Sequence, residues 1–365
     1  MSVSRVFSKS QWQRYRPSTL STTIMTTLPQ ELVDNILDYF ADDPPSLKIY
    51  FLVAREWVPR CRSHLFREYV LFWQWRLTLF CKLLRSPDCT FLPHVRSINK
   101  IRHKSPQDYD THNECAVDLG RLINVHALEM TVATPYSPER FYPFLCTAFP
   151  NITRLVLNSG NARRSLPLVS MICLFSALQE LDMKRTADVE NIPFDAIPPQ
   201  ELCSLSLSRY SAAQILTWLE TAGHLPKIHS LVLPPLRGAD IPTVCETLKQ
   251  IGGELHYLDI ALCSTAEGAV ETLRMIDLSR HRKLQSLHIC DGSWMNITDR
   301  AQETVLWIPK FIMKLSAPTL ERLTLEIDLA RPAHNEKFDW AALDAFLSST
   351  RFPHLPQRRG RLRAT

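Results

Sequence analysis

Glycine is scarce, with nine among 365 residues. None forms a GxGxxG or a GxxxxGKS/T run, so no loop is expected to cradle a phosphate. The ten cysteines include no CxxC pair, and the closest two, Cys81 and Cys89, lie eight residues apart. A zinc ribbon or dithiol redox motif is therefore not expected. Scattered thiols suit a reducing compartment, cytoplasmic and/or nuclear. Long apolar runs are missing too. Val70–Leu84 is interrupted by Gln74, Arg76 and Lys82, which leaves it too short and too charged to cross a bilayer. The twelve histidines show no metal-ligand spacing, and GxSxG and HExxH are absent. No catalytic residue, cofactor or metal is expected, and the chain does not read as an enzyme.

Acid is missing at both ends. Residues 1–30 carry Arg5, Lys9, Arg14 and Arg16 before the first carboxylate, Glu31. Residues 351–365 carry Arg351, Arg358, Arg359, Arg361 and Arg363 and no acid. Taking those nine from the 42 Lys+Arg leaves 33 against 37 Asp+Glu. The +5 formal charge thus belongs to the ends around a slightly acidic body, and net charge gives no argument for nucleic acid as a partner.

What is present is repetition. The pattern apolar-x-x-apolar-x-apolar opens at Val95, Val125, Ile152, Leu178, Leu202, Ile228, Leu255, Leu284 and Leu320, at intervals of 24 to 36 residues. In the first copy Lys100 replaces the third apolar residue. The last two apolar positions are two apart, as one face of a short strand requires. Helical patterns lie between, among them Ser137–Ala148, Ala212–Ala222, Thr243–Ile251, Ala269–Leu278, Asp299–Leu315 and Phe338–Ser348. Such a unit cannot bury its own apolar face and must stack on its neighbours. An ordinary α/β sheet enzyme with a Leu-rich core is the alternative. The units resemble irregular leucine-rich repeats over residues 93–350, with Cys263 the one copy of the ladder cysteine.

Residues 28–66 read LPQELVDNILDYFADDPPSLKIYFLVAREWVPRCRSHLF. Pro29 suits the first turn of a helix, and Glu31 complements its positive end. Leu32, Val33, Ile36, Leu37 and Phe40 form one apolar stripe. Asp42-Asp43-Pro44-Pro45 is expected to stop that helix, Ser46 to cap a second, and a third to start near Pro59.

Leu28-Pro29 with Glu31-Leu32, Ile36-Leu37, Leu52-Val53-x-Arg55-x-Trp57 and Ser63-His64-Leu65-Phe66-Arg67 together resemble the F-box of fungal F-box-like proteins, which continue into degenerate leucine-rich repeats. The resemblance implies an α/β chain: a short three-helix F-box followed by a curved, irregular solenoid. It implies a substrate receptor that binds the Skp-type adaptor of a cullin-based ubiquitin ligase and holds a protein substrate on its repeats. The adaptor-facing residues would be Leu28, Pro29, Leu32, Ile36, Leu37, Val53 and Trp57, although all of them also fit the interior of a three-helix unit. Substrate would lie on the concave sheet face, with Arg154, Asp182, Ser206, Tyr257, Asp259, His288 and Arg322 as candidates. A repeat scaffold not engaged with a ligase is the alternative.

The organisation expected is then a disordered basic leader over residues 1–24, an F-box-like unit over 25–67, a helical junction over 68–92, repeats over 93–350 and a disordered basic tail over 351–365. The leader also permits a mitochondrial presequence, and the tail a nuclear signal. Phe72-Trp73-Gln74-Trp75 reads as a plug at the open end of the solenoid.

Overall fold

The structure, a computed structural model, describes residues 28–71, 74–102, 107–131, 144–158, 167–184, 192–193, 195–262, 266–290, 301–326 and 338–355. The leader, Phe72-Trp73, Cys263, the start of the helical pattern at Ser137 and residues 356–365 lie outside these. The chain divides into two compact units between His64 and Leu65, three residues before the boundary read from the sequence.

The first unit holds α1 (Gln30–Tyr39), α2 (Pro44–Tyr50) and α3 (Val58–Leu65). Asp42-Asp43-Pro44-Pro45 does more than end α1. Both prolines sit in the first turn of α2, where a missing N–H costs nothing. Asp43, not Ser46, caps that helix, accepting the Ser46 N–H at 3.3 Å and the Ser46 hydroxyl at 2.6 Å. Val33, Leu37, Leu47 and Cys61 are the buried apolar residues among those described in this unit. Asp38 ties α1 to α3, accepting from the Arg60 guanidinium and lying 2.7 Å from His64 Nε2.

The second unit is a ten-stranded parallel sheet in strictly sequential order, β1 to β10. The strands are β1 (Glu68–Val70), β2 (Ser97–Arg102), β3 (Ala127–Thr131), β4 (Arg154–Asn158), β5 (Glu180–Lys184), β6 (Ser204–Ser206), β7 (Ser230–Leu233), β8 (Tyr257–Ala261), β9 (Ser286–Cys290) and β10 (Arg322–Glu326). Each of β2 to β10 begins two residues after an opening position of the sequence pattern. Sequential parallel order leaves no point where strand order reverses, so the crevice of a doubly wound enzyme sheet does not arise among these strands.

One backbone device repeats along the unit. The carbonyls of Arg67, Arg96, His126, Thr153, Gln179, Cys203, His229, His256 and Gln285 each accept two N–H groups from the next turn, at 2.8–3.2 Å. That keeps neighbouring turns in register while the leucines at the second and third apolar positions fill the interior.

Three expectations are corrected here. Residues 68–92 are not wholly helical, because β1 precedes α4 (Gln74–Arg85). Phe66, Tyr69 and Leu71 have the repeat spacing and make one more copy. The open end is closed by a column of rings, with Phe66–Phe91 at 5.1 Å, Phe91–Phe80 at 5.9 Å and Phe80–Tyr69 at 3.9 Å. In β2, Ile101 rather than residue 100 pairs with Met130, because the register shifts between Ile98 and Ile101 and Lys100 takes φ 63°. This is a bulge that restores the inward face. The tail also starts later than read. Phe352 is buried with its ring 5.2 Å from Phe346, and Leu355 packs on the same core.

Candidate functional site

In the first unit α1 has two apolar faces instead of the single expected stripe. Val33 and Leu37, four apart, turn inward. Leu28, Leu32, Ile36 and Tyr39 turn outward, the first three 54%, 49% and 41% exposed. With Asn35 and Phe40 they line a shallow open groove. The structure thus brings three of the seven expected adaptor-facing residues together. Pro29 is exposed at the start of the helix, and Val53 is exposed just beyond α2. Trp57 is half-buried, its ring 5.8 Å from Tyr50. Leu37 is 0% exposed, so its place among the contact residues is corrected: it belongs to the core and cannot meet a partner in this conformation. Tyr39 and Asn35 are absent from the sequence expectation; the spacing 28, 32, 36, 39 carries the signal for Tyr39, and none marks Asn35.

A groove of this kind removes apolar area from water only when something covers it. Asp38 holds the helix beneath it. The Arg60 guanidinium keeps the Asp38 carboxyl below the usual range, with His64 assisting against burial, so the tie between α1 and α3 is ionic at neutral pH.

In the second unit the seven candidate substrate residues fall on two straight rows across the sheet's open face. One row runs through Arg154, Glu180, Ser204, Ser230, Tyr257, Ser286 and Arg322. The other runs through Asp182, Ser206, Val232, Asp259, His288 and Thr324. At the near end, Arg154 is answered by Glu180 at 3.5 Å and Asp182 by Lys184 at 3.6 Å. Both are solvent-screened pairs worth about 0–1 kcal/mol. The middle is a neutral strip of serines. At the far end Asp259 accepts from the Tyr257 hydroxyl at 3.4 Å and lies 2.9 Å from His288 Nδ1, while His288 Nε2 stands 3.7 Å from Glu326. Burial, then the Asp259 carboxylate, pushes the Tyr257 phenol up. Tyr257, Asp259 and His288 are therefore one hydrogen-bonded group; the Arg322 charge acts on Tyr257 against that rise, and Arg154, Asp182 and Ser206 lie farther along the same two rows. His288 stands between two carboxylates and not against a hydroxyl or thiol nucleophile, so no covalent chemistry follows from this group.

Among the described residues no three ligating side chains converge as a metal site would need, and no helix is long and apolar enough to cross a membrane.

No protein-family model matches the chain, and no curated protein matches it. Among solved structures it is similar to a crystal structure of the Rad7 and Elc1 complex in yeast, at a TM-score of 0.33 and 15% identity, covering 85% of this chain and 74% of that one. A likeness of that size carries no argument about function, and the repeat architecture rests on this chain's own sequential strands.

Proposed function

We propose that the chain is a non-catalytic substrate receptor of a cullin-based ubiquitin ligase, working in the cytoplasm and/or nucleus. The α1 groove docks a Skp-type adaptor, and the open face of the repeat sheet holds a protein substrate. The observation that carries this reading is the uncovered apolar row Leu28, Leu32 and Ile36 on a helix whose other face is already filled. It falls on the residues that carry the F-box resemblance. An apolar, partner-seeking helical surface is the physics of a stable protein interface. The mixed charges and hydroxyls of the sheet face suit a protein surface better than a small molecule, which would want a concave apolar pocket.

The test is co-purification with a Skp-type adaptor. Leu28→Ala with Ile36→Ala is expected to abolish capture while leaving the thermal melt unchanged, because both side chains are exposed. Leu37→Ala, by contrast, should cost about 2–5 kcal/mol of stability in its own unit. Undiminished capture by the double variant would rule out the groove as the adaptor contact, and no capture by the native chain would leave the scaffold reading, in which the helices play no part in a ligase.

A further inference from the structure

We infer that the outer edge of β10 is a self-association surface, which pairs two copies of this chain antiparallel about a two-fold axis through Thr324. The starting point is an interrupted pattern. Nine successive carbonyls each receive two N–H groups from the following turn, ending with Gln285, which takes those of Glu321 and Arg322. The equivalent carbonyl one turn on is that of Glu321, and among the described residues it accepts none. Likewise the Leu71 and Leu207 N–H groups donate outward to Asn99 and Val232 on the next strand. Leu325 holds the equivalent place in β10, and no described strand lies beyond it.

The apolar rows stop short at the same edge. Leu287 and Ile289 on β9 are fully buried, whereas Leu323 and Leu325, directly beside them, are only half-buried. Half-covered leucines next to main-chain donors and acceptors that no described residue pairs invite another strand. A repeat array otherwise ends in a polar cap.

The sequence of the strand selects the occupant. Arg322-Leu323-Thr324-Leu325-Glu326 is self-complementary when reversed. Antiparallel pairing centred on Thr324 sets Arg322 against Glu326 of the other copy at both ends, Leu323 against Leu325 twice, and threonine against threonine. Arg322, Thr324 and Glu326 share the open face and the two leucines the inner face, so every opposed pair lies on one side of the joined sheet. Leu323 and Leu325 also turn their backbone groups to the same outer side, so the register places donor opposite acceptor. This association is independent of the α1 groove.

Sedimentation equilibrium of the full chain over a wide concentration range tests it. The expected result is a reversible species of twice the 42.0 kDa chain mass. Arg322→Glu sets carboxylate against carboxylate at both ends and should weaken the dimer at least about tenfold. Adding Glu326→Arg restores opposed charges and should restore the dimer, which a misfolded variant could not do. A single-chain mass at every concentration would overturn the inference, since the edge would then be covered by this chain's own residues or by an unrelated strand. A dimer indifferent to Arg322→Glu would overturn it as well. So would a mass that rises without limit, as head-to-tail addition of β10 onto β1 would produce.

Discussion

His224, just before the turn Leu225–Lys227, and His281, just after the turn Leu278–Arg280, are both sealed from solvent. His224 Nε2 lies 2.8 Å from the Leu202 carbonyl and His281 Nδ1 2.7 Å from that of Gly252, so each is a side-chain staple to the preceding turn. Burial lowers both pKa values from 6.5, partly offset by those carbonyls. Lys227 lowers His224 further, while Asp277 acts the other way on His281. His281 Nε2 has no partner, so a proton there would be a buried charge without an acceptor. The sign follows: the unfolded chain takes up these protons below about pH 6.5 and the folded chain resists them. Stability is therefore complete above pH 6.5 and declines as the solution is acidified. Thermal melts at pH 7.5 and 5.5 should differ for the native chain and differ less for His281→Gln. An equal drop in both would clear His281 of the effect.

Lys100 is the other residue whose environment decides its chemistry. At φ 63° its Cβ crowds the following carbonyl, at a cost of about 1–2 kcal/mol. Lys100→Gly is expected to raise stability by up to about 1 kcal/mol, and Lys100→Val to lower it by roughly as much. Chemical denaturation of the pair would read the difference, and a stabilising valine would count against the bulge.

Among the elements, strands were far more legible than helices. Leu255, Leu258 and Ile260 announce β8 by spacing alone, because a period of two on a buried face tolerates no slip. Helix ends differ by a few residues: the spacing marks Ala269–Leu278 and the helix forms over Ala266–Met275, since exposed turns accept many residues. β1 is hidden in the sequence because Phe66 also belongs to the end of the N-terminal helical motif, Ser63-His64-Leu65-Phe66-Arg67, while Tyr69 and Leu71 fall in the stretch that reads as a helical junction. In the candidate sites the sequence supplied identity but not direction. Leu32 and Leu37 differ in nothing but helical angle, and only tertiary packing shows that one faces out and the other in. The alliance of His288 with Asp259 depends on adjacent strands standing in register, which spacing implies but does not state.

At the scale of the molecule, the chain forms a compact helical unit and a repeat unit, to which the proposed function gives separate tasks. Each repeat touches only its neighbours, so stability is a sum of local terms. The far end of the open face, with Tyr257, Asp259 and His288 interlocked, is more fixed than the screened pairs of the near end. Substrate contact at the far end is then expected to depend on shape and hydrogen bonding. Asp259→Asn should impair substrate capture more than Arg154→Ala, as ubiquitination of a bound substrate would report.

The uniform register has a consequence for how such a chain can change length. Ser204 stands over Glu180 and Ser230 over Ser204, so beyond the β2 bulge each turn presents the same docking pattern to the turns on either side. Excising residues 204–229 would join Cys203 directly to Ser230. Ser230 would then lie over Glu180, Leu231 over Leu181 and Val232 over Asp182, with the Gln179 carbonyl still offered two N–H groups. The shortened chain should fold with the remaining strands aligned, melting at a lower temperature because the new neighbours' side chains were not fitted to one another. Loss of the cooperative melt would mean that turns are not exchangeable. If they are, this architecture can gain or lose whole turns by genetic duplication and deletion, and lengthen or shorten its binding face without redesigning the fold.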